Sequence, residues 1–362
     1  MSKPTLAYIG LGSNLGDRKA FIDKALKMLA EATDIELSGV SETIETTPLA
    51  GANQPDYLNT VVEIKTKLSA NDLHKKMVEI ETALGRVRRG KLAPRTIDLD
   101  LLLYGSDVIN SSDLTVPHRQ MHLRWFVLKG LCQLNAELLH PVIKESASEL
   151  AARLGETDFT LNADQPQLVS IAGIIGVGKT MLTEKLSKLL GCKMLLEPYD
   201  TNPFMPQVYA GKKEMALDSQ LYFLTHRAEQ LNHNSLALGR IVISDYVFDK
   251  ELIYAQLLLN AEQLALYKKI YPPFSAEVTP PVLVIYLIDS VQNCLERIHK
   301  RNRPYEQKIQ PQFLDSLSRG HEKLFADWKK CPVIRLSMSE FDYMQDSNIQ
   351  HLANQIRSYI AV

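Results

Sequence analysis

Hydrophobic positions in the first third of the chain switch between two periods. Thr5–Leu11 is an apolar run of strand length, after which Ile22, Ala25, Leu26 and Leu29 recur at helical spacing. Two β-rich runs follow, Leu37–Thr47 and Tyr57–Lys65. Leu73, Met77, Ile80 and Leu84 then mark a second helix, with polar Ser69 before it and Gly85 after it. The strand Ile97–Tyr104 closes the series. The order βαββαβ predicts an α+β ferredoxin-like unit, one layer of helices on an antiparallel sheet, with further helix from about Gln120 to Leu131 packed at its side.

From Leu161 the chain turns polar (LNADQPQ), which marks a linker over 161–167 and separates a domain 1–160 from a domain 168–362. The pattern then becomes regular: strand 168–172, helix 179–190, strand 193–196, helix 215–232, strand 241–244, helix 249–269, strand 281–288 and helix 290–301. Strands separated by helices predict an α/β fold with a parallel sheet covered on both faces. No internal repeat links the halves.

Composition narrows the function classes. At 362 residues the chain is long for one core. A 45% apolar and 23% charged make-up is that of a folded globular protein, and a net charge of −1 offers no global basic field for nucleic acid. Cys132, Cys192, Cys294 and Cys331 lack metal-finger spacing and fit free thiols in a reducing compartment. The opening MSKPTLAYIG has no signal-peptide pattern, and the longest greasy segment, Val282–Ile288, falls far short of the ~20 residues a bilayer needs. The expectation is a cytoplasmic protein with neither membrane nor nucleic-acid partners.

The stretch RTIDLDLLLYG (Arg95–Gly105) raises a chemical problem. On a strand, Ile97, Leu99 and Leu101 take the core face, while Asp98 and Asp100 share the other, roughly 7 Å apart. Unpaired carboxylates this close repel each other and resist burial. Mg²⁺ between them and a polyphosphate would turn repulsion into coordination. The alternative is a solvated face with two harmless aspartates. Arg86, Arg88, Arg89 and Arg95 crowd just upstream, and arginine's planar fork suits phosphate oxygens, which favours phosphoryl or pyrophosphoryl transfer.

In the second half Gly173-Ile-Ile-Gly176-Val-Gly178-Lys179-Thr180 fits G-x-x-x-x-G-K-[ST] between a predicted strand and a predicted helix. The backbone N–H groups and helix N-terminus would cradle phosphates, Lys179 would reach the β/γ-phosphates and Thr180 would hold Mg²⁺. Glu197 ends the next strand, at the ligand side of a parallel sheet, where it can accept a proton from an attacking hydroxyl. Arg297, Lys300 and Arg301 fall at i, i+3 and i+4, with Arg303 just beyond; next to a phosphate loop they suit a basic lid better than a solvated face.

Residues 5–142 resemble the 6-hydroxymethyl-7,8-dihydropterin pyrophosphokinase family through GLGSNLGDR, QPDYLNTVVEI, GRVRR, APRTIDLDLLLYG and LTVPHRQMHLRWFVL. The resemblance implies ATP and hydroxymethyl-dihydropterin as substrates, with two Mg²⁺ on Asp98 and Asp100. It implies phosphate contacts from Arg86 and Arg95, with Arg88 and His118 at the nucleotide or transferring groups. The pterin would meet Thr46, Leu49, Tyr57 and Asn59, and Phe126 would stack on its ring. Val78, Leu92-Ala93 and Arg119 depart from the family pattern near the nucleotide contacts.

Residues 167–340 resemble the deoxynucleoside kinase family through the phosphate loop, Glu197-Pro198, Gln220 with Arg227, and RIHKRNRPYE (297–306). The resemblance implies ATP, one Mg²⁺ and a deoxynucleoside, with Glu197 as the base for the 5′-hydroxyl. Gln220 and Arg227 would read the nucleobase, Tyr209 and Glu306 the 3′-hydroxyl, and Arg297, Arg301 and Arg303 would form the lid. It further implies pairing of two copies through this half. The family's acidic-Arg-Ser triplet is replaced by Ser244-Asp245-Tyr246; this, with GRIVISDYVF and LYKKIYP, resembles the bacterial deoxyguanosine kinase branch and points to purines. The missing arginine leaves a second reading open, a non-catalytic nucleotide-binding regulatory or dimerisation module.

Overall fold

Strand β1 (Thr5–Ser13) is the centre of the first unit, pairing antiparallel with β4 (Tyr57–Thr66) on one side and β5 (Asp98–Tyr104) on the other. The structure is a computed structural model that describes residues 3–49, 54–87 and 93–361. Its chain folds as two units, Met1–Thr160 and Leu161–Val362. In the first, β2 (Ile35–Val40) and β3 (Ile44–Thr46) both pair with β4, giving the sheet order β2-β4-β1-β5 with β3 beside β4.

The sequence predicted one strand over 37–47. It is interrupted because the Ser41 hydroxyl enters the ladder, accepting from Val61 N at 2.9 Å, and the chain turns before β3. Helices α1 (Arg18–Ala30) and α2 (Ala70–Ala83) cover one face, with Leu29, Met77 and Ile80 fully buried against Ile9, Leu99 and Leu101. Ser69 caps α2, its hydroxyl accepting from Asp72 N at 3.2 Å.

After β5 come a two-stranded ribbon, β6 (Ile109–Asn110) and β7 (Thr115–Val116), then α3 (Trp125–Asn135) and α4 (Ala147–Leu154). The helix expected from about Gln120 starts later, at Trp125, after a short 3-10 turn Met121–Leu123. It lies on the sheet's second face rather than at its side, packed with α4 on Tyr8, Val61, Leu102 and Leu103. A register shift between Tyr8 and Ile9 breaks the alternation of β5, so adjacent Leu102 and Leu103 both join this second core. The face carrying Asp98 and Asp100 is therefore roofed by protein, apart from the cavity described below.

In the second unit β8 (Gln167–Ala172), α5 (Lys179–Leu190), β9 (Lys193–Leu195), α6 (Met205–Tyr209), α7 (Ala216–Leu231) and β10 (Ile241–Ser244) follow in order. Next come α8 (Glu251–Leu258), α9 (Ala261–Glu277), β11 (Leu283–Ile288), α10 (Val291–Arg301), α11 (Pro311–Ala326), β12 (Val333–Ser337) and α12 (Asp346–Ser358). The sheet is wholly parallel, in the order β12-β11-β8-β10-β9. The single helix expected over 249–269 is two helices. Asn260 and Gln263 form a reciprocal cap, each side chain accepting from the other's backbone N–H at 2.9 and 3.2 Å, which restarts the helix within an apolar run. The sequence reading assigned nothing beyond Arg301, where α11, β12 and α12 complete the layers. Among the described residues no helix is long and apolar enough to cross a membrane.

Candidate active sites

Asp98 and Asp100 stand on β5 directly opposite Gly12 and Gly10 of β1. Glycine at 12 leaves room for the Asn59 side chain, since a Cβ there would lie 2.9 Å from Asn59 Oδ1. Asn59 in turn donates through Nδ2 to Thr46 Oγ1 at 2.8 Å, fastening β4 to β3. A cavity of about 280 Å³ opens here, and Thr46, Leu49, Tyr57, Asn59, His118 and Phe126 all line it. A second cavity of about 390 Å³ lies toward α2, lined by His74, Val78, Glu81 and Val87. Asp98, Asp100, Arg86 and Arg95 line both, so the acids and arginines form the partition between two chambers. Arg88 lies outside the described residues.

The partition carries its own counter-ions. Arg86 bridges buried Glu81 and Asp98, and Arg95 Nη1 lies 2.5 Å from Asp98 Oδ2. Glu81 is held by Leu99 N, which donates to its Oε1 at 2.8 Å. Burial raises the pKa of Asp98, and the neighbouring charge of Asp100 adds to this, against the pull of Arg95 and Arg86. Arg124, which sequence reasoning missed, reaches toward Asp100 Oδ2 at 3.5 Å. His118 is placed by its backbone N–H, which donates to Leu102 O at 2.9 Å, and burial lowers its pKa so that the ring is neutral at pH 7. Among the described residues no three acidic, histidine or cysteine side chains converge on one point. Two carboxylates in a wall shared with arginines nonetheless suit Mg²⁺, which completes its shell with water and substrate oxygens.

In the second unit the loop from Gly173 to Gly178 joins β8 to α5. Gly176 has φ +83°, and a Cβ there would lie 2.5 Å from Cys294 O. Lys179 Nζ donates to Gly173 O at 3.0 Å and Ile174 O at 2.9 Å, and burial lowers its pKa to about 8. Thr180 Oγ1 donates to Asp245 Oδ2 at 2.7 Å, and Glu197 N donates to Asp245 Oδ1 at 2.8 Å. The acid of Ser244-Asp245-Tyr246 thus touches both the metal-side hydroxyl and the candidate base. Hard oxygens from Thr180 and Asp245 at the helix start again suit Mg²⁺.

Glu197, Tyr209, Gln220, Arg227, Arg301 and Glu306 meet around a cavity of about 90 Å³, with Lys179, Thr180, Gly176 and Arg303 also in its wall. Arg227 pairs with Glu197 through Nη2 and with Glu251 through Nη1, so its terminal nitrogens support acids in this state. Lys250, also missed in the sequence, lies 2.6 Å from Glu197 Oε1. Buried Gln220 keeps Oε1 without a hydrogen-bond partner. Arg301 donates twice to Glu306 Oε2, at 2.6 and 3.1 Å, and Arg303 stacks 4.0 Å over the Tyr199 ring. Arg297 does not line the cavity; it pairs with Asp289 at 2.5 Å and donates to Gly176 O at 3.3 Å, bracing the phosphate loop from behind. Gly173 and Gly178 likewise shape the loop without lining the cavity.

An antiparallel α+β unit with a carboxylate partition and a parallel α/β unit with a phosphate loop define a pair of ATP-dependent phosphotransferases. The chain belongs to two families, 7,8-dihydro-6-hydroxymethylpterin-pyrophosphokinase, matched over residues 8–136, and deoxynucleoside kinase, matched over residues 169–361. It is 41% identical over 143 residues to the 2-amino-4-hydroxy-6-hydroxymethyldihydropteridine pyrophosphokinase of Bacillus subtilis, covering 40% of this chain and 83% of that one. The corresponding enzyme of Haemophilus influenzae is 38% identical over 148 residues, covering 40% and 92%. Deoxyguanosine kinase of Bacillus subtilis is 38% identical over 157 residues, covering 42% of this chain and 76% of the relative.

Proposed function

We propose that the first unit transfers the diphosphate of ATP to the hydroxymethyl group of 6-hydroxymethyl-7,8-dihydropterin, releasing AMP. The observation that carries this is the shared partition: Asp98, Asp100, Arg86 and Arg95 face both chambers, so two substrates would react across them. The pterin fits the chamber holding Asn59, Tyr57 and Phe126, and ATP the one beside α2. Arg86 and Arg95 exchange their carboxylate partner for phosphate oxygens as the nucleotide enters. Neutral His118 donates a hydrogen bond to the transferring groups without adding charge.

The second unit, in the same proposal, transfers the γ-phosphoryl of ATP to the 5′-hydroxyl of a deoxynucleoside. Glu197 accepts the hydroxyl proton, Lys179 and the loop N–H groups hold the phosphates, and Arg301 and Arg303 close over them. Tyr209 and Glu306 take the 3′-hydroxyl. A purine is favoured, since the relative of Bacillus subtilis is a deoxyguanosine kinase; Gln220, whose buried Oε1 has no partner among the described residues, would offer the base edge an acceptor beside its amide donors. Mg²⁺, two ions on Asp98 and Asp100 and one at Thr180, would neutralise polyphosphate charge.

The test uses the full chain with labelled ATP, the pterin alcohol and each deoxynucleoside. Asp100→Asn should lower pterin diphosphate and AMP formation by about 100-fold or more while leaving nucleoside phosphorylation intact. Lys179→Ala should do the converse. Nucleotide binding with no transfer to any deoxynucleoside would instead make the second unit a regulatory or dimerisation module.

A further inference from the structure

We propose that Lys250 is a positioning residue for phosphoryl transfer in the second unit, fixing the Glu197 carboxylate by one oxygen so that the other is presented to the 5′-hydroxyl. This rests on the reading of Glu197 as the base. Lys250 ends the short 3-10 turn Phe248–Lys250 between β10 and α8 and is 3% exposed. Its Nζ lies 2.6 Å from Glu197 Oε1, the same oxygen that Arg227 Nη2 engages. Both shortest contacts fall on Oε1, and among the described residues no hydrogen bond goes to Oε2. A carboxylate held at one oxygen by two nitrogen donors from different elements cannot rotate freely, and its second oxygen is left as the proton acceptor.

Arg227 cannot do this alone. Its other terminal nitrogen is committed to Glu251, which is itself fixed by the Tyr267 hydroxyl at 2.5 Å. Arg227 therefore sets one direction of approach and Lys250 sets the second. Lys250 is not part of the cavity wall, so it acts through Glu197 rather than on substrate. Burial between the rings of Tyr246 (5.8 Å) and Tyr254 (5.5 Å), with Arg227 and Lys179 nearby, lowers the Lys250 pKa well below the usual lysine value against the pull of Asp245 and Glu251, and the 2.6 Å contact to Glu197 Oε1 is one that an amine or an ammonium can make. The β10–α8 segment thus holds the base at both ends: Asp245 takes the Glu197 backbone N–H and Lys250 takes the side chain.

The experiment measures kcat and KM of the full chain for ATP and a purine deoxynucleoside, with pterin diphosphate formation as the internal control. Lys250→Met should lower kcat by about 100-fold through misplacement of the base. Both KM values should stay within about threefold, because ground-state binding is untouched. Lys250→Arg, which restores a cation of sufficient reach, should recover kcat to within about tenfold of the unaltered chain. Retained kcat in Lys250→Met, or kcat and KM moving together without rescue by arginine, overturns the assignment. If Lys250→Met abolishes the ATP-dependent thermal shift of its unit, Lys250→Gln is judged by the same criteria. Should that variant also unfold, Lys250 is structural and the assignment fails. A chain that phosphorylates no deoxynucleoside overturns the kinase reading itself, whereas an active chain indifferent to residue 250 overturns only the role given to Lys250.

Discussion

At the scale of single residues, the environment of Lys179 has a direct kinetic consequence. Burial lowers its pKa to about 8 in the free protein, so the ammonium that meets ATP is present below that pH and lost above it. For the kinase reaction, kcat/KM for ATP should fall as pH rises through about 8. The limb in kcat should lie higher, because bound phosphates favour the charged amine. A kcat/KM flat to pH 9.5 would remove this role from Lys179. That Lys179, Asp98 and Asp100 would stand at cavity walls was legible in the sequence because the signal is local: a loop of fixed spacing, and two acids on one strand face. Lys250, Arg124 and the contacts of Asp245, named only within its triplet, were not, because each pairs with a partner distant in sequence: Asp245 is 65 residues from Thr180, and Arg124 is 24 from Asp100. Such pairings exist only once the strands are in register.

At the scale of elements, the phosphate loop is shaped as much by what lies behind it as by its own glycines. Gly176 combines φ +83° with a Cβ position 2.5 Å from Cys294 O at the start of α10, so backbone would have to move to admit a methyl group. Gly176→Ala should destabilise the second unit by about 1–3 kcal/mol and abolish ATP binding there, as calorimetry and a thermal melt would record, while pterin diphosphate synthesis continues. Helix and strand existence followed from hydrophobic period for the elements read up to Arg301, since a buried face imposes it, whereas α11, β12 and α12 went unassigned. Interruptions did not follow. The Asn260–Gln263 cap and the Ser41 side chain in the β4 ladder are single polar contacts that redirect the backbone against the hydrophobic pattern. The second face of the first sheet was hidden for another reason: the bulge at Tyr8/Ile9 turns Leu103 to the side that simple alternation denies it.

At the scale of the whole molecule, each unit has its own cores, its own site and a buried histidine held well below the usual imidazole range. Burial, with the ring of His122 beside it, holds His140 in the first unit down to about 3, and burial holds His321 in the second down to about 4. Both rings are neutral when folded, whereas an unfolded chain protonates them near pH 6.5. Protons therefore favour the unfolded state below that value, and stability present above pH 6.5 is lost as pH falls toward the folded values. Each histidine should cost its unit about 2 kcal/mol between pH 6.5 and 5. Differential scanning calorimetry at the two pH values should show both units melting lower in acid, and His140→Gln should shrink the shift of the first unit alone. The clasp of Arg86 and Arg95 on Asp98 has a consequence of its own. Because Asp98 finds its counter-charge inside the protein, this unit needs no bound cation to stay folded, and its melting temperature should be the same in a chelator as in magnesium.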